Sequence, residues 1–294
     1  MMKYAFTLGL LLLSQFSFAA GYKSYGQITD RLRMIAAQYP SVATLMEIGV
    51  SDGGDKILGL KFGSGAIHNL VVGTHHGNEY GSTELAMGFA EHLALSPIEG
   101  QTVFVIPVLN ISGFNSHSRW ELVKGRSRDP NRDYPGPCST EGPFNLKSTA
   151  ALAQFVDKEN IVALATLHTY SPAVVYPWGL SSHDLGTPYL AEFTKMVQDA
   201  TVESKYEIGN STEVIYPADG TFEDYSFWKH GIWSILFELG YSHNPNETDI
   251  RDILEKNIPG LRRMLVNAPK VRAANHAFTG KCDLRLQSLD RHDE

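Results

Sequence analysis

The sequence has 294 residues, 43% hydrophobic and 19% charged, which is apolar material enough for a large core and excludes a disordered chain. Its formal net charge of −7 argues against nucleic acid or an anionic membrane as partner and suits cationic or zwitterionic ligands. The two cysteines, Cys138 and Cys282, could pair in an oxidising compartment or stay apart as thiols.

Residues 1–19 carry one lysine, an apolar stretch from Ala5 to Leu13, and Ser17-Phe18-Ala19 as a small-x-small cleavage site. This reads as a secretory signal peptide, so the expected organisation is a leader over 1–19, a folded domain over 20–280 and a polar tail over 281–294. The protein is expected to be exported, to a periplasm or beyond the cell. No later stretch supplies the roughly 18 unbroken apolar residues of a membrane helix.

The pattern then predicts a helix over Tyr25–Tyr39, with Ile28, Leu32, Ile35 and Ala36 on one stripe and Pro40 closing it. Strands Ala43–Val50 and Lys56–Phe62 flank a polar glycine turn and read as a hairpin. A buried strand over Asn69–Val72 and a helix over Thr83–Leu95 enclose Thr74-His-His-Gly-Asn-Glu79, and Thr102–Leu109 is another apolar strand. From Asn110 to Leu146 no period is sustained, and the segment reads as a long ordered loop. Helix Lys147–Glu159 and strand Ile161–Leu167 follow, the latter ending at His168. Strand Ala173–Tyr176, helix Pro188–Val202, strand Glu213–Tyr216, helix Thr221–His230, strand Trp233–Leu239 and helix Asp249–Val266 complete one α/β domain.

Three features of this series carry chemistry. His76 and Glu79 stand three residues apart at a strand-to-helix crossover, where open α/β sheets place their sites, and an imidazole with a carboxylate suits zinc. His168 stands at the end of a second strand. Glu238 lies inside the apolar run Ser234-Ile-Leu-Phe-Glu-Leu-Gly240, an expensive place for a carboxylate unless it is paired or faces a cavity.

Taken together, His76-Gly-Asn-Glu79, Asp129-Pro-Asn-Arg-Asp133, His168-Thr-Tyr-Ser-Pro-Ala-Val-Val-Tyr-Pro-Trp-Gly179 and Tyr216 followed by Phe237-Glu238-Leu239 resemble the zinc carboxypeptidases of the pancreatic A/B type. Tyr25–Phe62 resembles that family's opening helix and hairpin, without room for a prosegment between Ala20 and Tyr25, as in a directly active bacterial member. The resemblance implies an α/β/α sandwich with a mixed, mainly parallel sheet of about eight strands. It implies one zinc ion on His76, Glu79 and His168, with a fourth position left for water, and Glu238 as general base. An arginine should meet the oxyanion; Arg119, six residues after Gly113, is favoured over Arg126. Asn131 and Arg132 resemble the grip on the substrate's terminal carboxylate, and Tyr216 the tyrosine that closes over it. Glu223, seven residues beyond Tyr216, resembles the floor of the side-chain pocket, where an acid selects a basic residue; equally, Glu223 and Asp224 open a helix whose dipole they complement. The peptide bonds Thr169–Tyr170 and Pro177–Trp178 are expected to be cis.

The implied function is zinc-dependent removal of a C-terminal residue from a peptide by a monomer. A murein peptide amidase, acting on muropeptides at the γ-D-glutamyl–diaminopimelate bond, is the second reading. A deacylase-like or non-catalytic zinc-binding protein is the third.

Overall fold

The computed structural model describes residues 23–138, 143–180 and 186–282. The expected leader and nearly all of the polar tail lie outside the described residues. Helix α1 (Tyr25–Gln38) starts at a reciprocal cap, in which Gln27 N–H donates to Ser24 Oγ and Ser24 N–H to Gln27 Oε1, and it buries Ile28, Leu32 and Ile35. Strands β1 (Ala43–Val50) and β2 (Lys56–Phe62) form the expected antiparallel hairpin. Next come β3 (Ile67–Gly73), α2 (Tyr80–Leu95) and β4 (Gln101–Ile106).

The stretch from Asn110 to Leu146 holds more than a loop. It contains a short helix, α3 (Ile111–Ser116), a hairpin of β5 (Glu121–Val123) and β6 (Arg126–Arg128), and a 3₁₀ turn over Pro130–Arg132. Lys124 and Gly125 both take positive φ at the hairpin tip, which suits a two-residue turn. Elements of three to six residues are too short to impose a hydrophobic period, so the sequence pattern passes over them.

The remaining elements are α4 (Lys147–Lys158), β7 (Ala163–His168), β8 (Ala173–Tyr176), α5 (Leu190–Ala200), β9 (Glu207–Asn210), α6 (Ser211–Val214), α7 (Phe222–His230), β10 (Trp233–Glu238) and α8 (Glu247–Asn267). The strand expected over Glu213–Tyr216 is therefore wrong: the strand lies just before, as β9, and Ser211–Val214 is a helical turn. Asn210 decides it, because its side chain accepts the Glu213 N–H at 2.8 Å and caps a turn that the β-branched residues alone would not choose. Among the described helices none is long and apolar enough to cross a membrane.

The sheet has eight strands in the order β1-β2-β4-β3-β7-β10-β8-β9. Its centre, β4-β3-β7-β10, is parallel, while β2 on β4 and β8 on β10 run antiparallel. Strands β4 and β7 are buried along their whole length, so neither alternates between an apolar and a solvated face. Helices α2, α8 and α5 pack side by side over the sheet, α4 lies against β1 and α7 against β10. The register aligns the carboxyl ends of three parallel strands: Gly73 faces Leu167, and Glu238 faces His168. That edge of the sheet brings His168 and Glu238 side by side.

Candidate metal centre and substrate cleft

At the end of β3 the chain turns sharply. Thr74 takes φ +60°, held there by its N–H donating to Ser82 Oγ (3.1 Å) and its hydroxyl donating to the Pro107 carbonyl (2.9 Å). Gly77 passes so close to α3 that an added Cβ would sit 2.0 Å from the Gly113 carbonyl carbon, so only glycine fits. This turn delivers His76 to the sheet edge and places Glu79 at the N-cap of α2.

His76, Glu79 and His168 are all buried, and one potential ligand atom from each lies within 4.8 Å of the others. Glu79 Oε1 is 2.7 Å from His76 Nδ1, Glu79 Oε2 is 3.0 Å from His168 Nδ1, and the two Nδ1 atoms are 3.3 Å apart. The opposite ring nitrogens are occupied: His76 Nε2 lies 3.0 Å from Asp129 Oδ1, and His168 Nε2 3.3 Å from Thr166 Oγ1. With the imidazole protons on Nε2, both Nδ1 lone pairs and the carboxylate converge on one point. Two imidazoles and one carboxylate form a donor set that fits zinc and leaves a coordination position open. Burial alone would raise the Glu79 carboxyl, but His76 and His168 outweigh it and hold the group well below the usual carboxylate range.

Glu238 stands in the cleft wall, partly exposed as a residue, but its Oε2 is buried and has no hydrogen-bond partner. Desolvation, reinforced by the neighbouring Glu79 charge, pushes this carboxyl well above its ordinary value. Arg119 forks onto Asp129 Oδ2 through Nε (2.9 Å) and Nη2 (2.7 Å), with Nη1 3.3 Å from His76 Nδ1. Asp129 thus joins Arg119 to His76; burial would raise its carboxyl, and these two partners hold it well below the usual range. Arg126 is exposed on β6 and lines no part of this region.

His76, Glu79, His168, Arg119 and Glu238 border one cleft of about 400 Å³, whose walls also include Asn131, Arg132, Tyr216 and Glu223. Asn131 is fixed at both ends: its Oδ1 accepts the Phe222 N–H at 2.9 Å and its N–H donates to Asp129 Oδ1 at 2.8 Å. The Arg132 guanidinium lies 5.9 Å from the Tyr216 ring centroid, with Nη2 donating to the phenol oxygen at 3.3 Å. Tyr216 is 45% exposed at the rim. Glu223, at the start of α7, is 3% exposed, lines the cleft and has a buried Oε2 without a partner. A carboxylate that served only the helix dipole would face solvent at lower cost. The bonds Thr169–Tyr170 and Pro177–Trp178 are both cis.

Every residue given a role from the sequence borders this cleft, but several that shape it were passed over. Asp129 lay within a motif yet carried no role. Asn110, whose Nδ2 donates to the His75 and Arg119 carbonyls at 3.2 and 3.1 Å, ties the turn that carries His76 to the arginine. His75 and Thr166 lie beside His168; the neutral form of His75 is favoured by burial and by the two neighbouring imidazoles. The period of two along β7, which puts Thr166 on the His168 face, was a signal that could have found it.

Known proteins are similar to this chain in sequence and fold. The model of the Peptidase_M14 family, zinc carboxypeptidase, matches residues 28–260. A carboxypeptidase B of Astacus astacus is 26% identical over 254 residues, covering 72% of this chain and 83% of its own. A carboxypeptidase A1 of Rattus norvegicus is 22% identical over 279 residues, and the match spans 80% of this chain but only 66% of that protein's length. Among solved structures, bovine thrombin-activatable fibrinolysis inhibitor in complex with tick carboxypeptidase inhibitor superposes with a TM-score of 0.77 at 19% identity, covering 83% of this chain and 96% of that one.

Proposed function

Because this chain belongs to the zinc carboxypeptidase family, we propose that it hydrolyses the C-terminal peptide bond of a peptide, with preference for a basic or amino-bearing terminal residue. The observation that carries the reading is one cleft bordered by the His76, Glu79 and His168 donor set, by Glu238 and by the Asn131-Arg132 pair.

His76, Glu79 and His168 would hold the zinc, which when bound supplies a Lewis acid that polarises a carbonyl and acidifies water. Glu238 takes the proton of the attacking water and returns it to the leaving amine; a carboxylate whose proton affinity is raised by desolvation suits both halves of that transfer. Arg119, held by Asp129, presents a fixed cation where the carbonyl oxygen gains charge. Arg132 and Asn131 receive the substrate's terminal carboxylate, which limits cleavage to the last residue. Tyr216, exposed and leaning on Arg132, closes over the bound residue. The groups used all stand on one chain, so the proposed reaction needs no residue from a second copy. Export is supported by the leader-like residues 1–19 and by the disulfide between Cys138 and Cys282.

Glu223 sets the preference. Its unpartnered, buried carboxylate oxygen gives an ammonium or guanidinium a partner that a phenyl ring cannot use. The test is kcat/KM for matched peptides ending in Lys, Arg and Phe, and for muropeptides, with the wild type and Glu223→Ile. Lys or Arg should lead in the wild type, and the variant should lose about 100-fold or more on them while gaining on Phe. A wild type that prefers Phe, or an unchanged ranking in the variant, contradicts the role of Glu223. Turnover confined to muropeptides replaces the carboxypeptidase reading with the amidase one.

A further inference from the structure

Behind the ligand face of His168 runs a line of buried polar groups that the roles above leave unused. Thr166 precedes His168 by two residues on β7, so both side chains leave the same side of the strand. Thr166 Oγ1 is 3.3 Å from His168 Nε2 and 3.3 Å from His75 Nδ1, and His75 Nε2 is 3.0 Å from the Tyr134 hydroxyl. All four residues are at most 1% exposed. The His75 ring packs against the rings of His168 and Phe222, at centroid distances of 5.6 and 5.3 Å.

The proton count along this line gives it a direction. For His168 to offer the Nδ1 lone pair, its proton sits on Nε2 and is donated to Thr166 Oγ1. The hydroxyl has one proton of its own, which then goes to His75 Nδ1. His75 in turn carries its proton on Nε2 and donates it to the Tyr134 oxygen. Each assignment follows from the one before, and no two protons or two lone pairs oppose each other.

We propose that Thr166, His75 and Tyr134 form a positioning relay that holds His168 in the Nε2–H tautomer and so presents Nδ1 as a ready-made metal ligand. The relay rests on the reading of His168 as a zinc ligand. It differs from the support of His76, whose Nε2 meets the carboxylate of Asp129. A carboxylate accepts a proton under any tautomer of its neighbours, whereas a hydroxyl can serve His168 as acceptor only when its own proton has somewhere to go. His75 supplies that place, which accounts for a buried imidazole directly before a ligand imidazole.

The test compares Thr166→Val, which removes the hydroxyl but keeps the shape, with Thr166→Ser, which keeps the hydroxyl. Zinc affinity is read by competition with a chromophoric chelator, and the ligand field by the visible spectrum of the Co²⁺-loaded proteins. The valine variant should bind zinc about 10–100-fold more weakly and show an altered Co²⁺ spectrum, and serine should restore both. Should the valine variant not fold, His75→Phe keeps the ring packing, removes both ring nitrogens, and should lose affinity likewise. A wild type that takes up one zinc, with Thr166→Val or His75→Phe matching its affinity and spectrum, overturns the relay and leaves the zinc site standing. A wild type that takes up no zinc overturns the ligand assignment and the relay with it.

Discussion

Glu238 sits where stability would prefer an apolar side chain, at the end of a strand that is otherwise buried, with one enclosed oxygen unpartnered. Enclosing that oxygen is a cost that only chemistry repays. Glu238→Gln keeps the volume and removes the base, so it should lower kcat by roughly 10²–10⁴-fold with zinc content and KM nearly unchanged; near-normal turnover in this variant would remove Glu238 from the mechanism. A second carboxyl, away from the cleft, tests a structural claim. Glu121 on β5 accepts a hydrogen bond from Ser148 Oγ, while its Oε1 is buried without a partner. Burial pushes this group up from 4.5 to about 7. The folded state therefore holds the proton more tightly than the unfolded chain. Its contribution to stability is full below about pH 4.5, fades as pH rises, and is gone above about pH 7, a loss on the order of 3 kcal/mol. Glu121→Gln should melt higher than the wild type at pH 8 and close to it at pH 4.5. Parallel melting curves at both pH values would show that Glu121 does not titrate in this way.

Among the elements, the strands at the centre of the sheet were the most legible. β3 and β7 are largely apolar and lead to the polar stretches that hold His76 and His168, and Glu238 stands out as a carboxylate inside the apolar run of β10. A pattern that separates buried strand from turn is therefore enough to locate the site. The elements of the Asn110–Leu146 segment were not legible, because hydrogen bonds from single side chains hold them: Asn110 caps α3, and Asp129 caps the turn of Pro130–Arg132. Hydrophobic period carries no record of such contacts. The misplaced strand at Glu213–Tyr216 has the same origin in the cap at Asn210. Nor could spacing decide whether Cys138 and Cys282 pair; in the structure they do, across 144 positions. That bond ties the segment following Arg132 to a C-terminal stretch that also docks through Arg272, whose Nε and Nη2 donate to the Ile161 and Val156 carbonyls at 2.7 and 2.9 Å. Cys138→Ser with Cys282→Ser should cost about 2–5 kcal/mol of stability, read in thermal melts, with zinc content unchanged. Melts identical to those of the wild type, with and without reductant, would show the bond to be without consequence for stability.

At the scale of the molecule, residues far apart in sequence meet because the parallel strands end at one edge and the loops after them fold over it. His76, Arg119, Arg132, His168, Tyr216 and Glu238 span more than half of the chain and border one cleft. His168 stands at a strand end, Glu79 at a helix N-cap and His76 on the tight turn before that helix, while Arg119, Asn131, Arg132 and Tyr216 stand on loops and short turns. On the proposed function, the metal would decide whether the protein acts and the Asn131-Arg132 pair where it cuts. The most direct measurement follows from both halves: one peptide is prepared with a free and with an amidated C-terminus, each form is incubated with the protein, and the products are identified by mass. The free peptide should lose its last residue only, the amidated one should remain intact, and a chelator should abolish turnover that added zinc restores. Internal cleavage, equal hydrolysis of the amidated peptide, or turnover indifferent to the chelator would contradict a zinc carboxypeptidase.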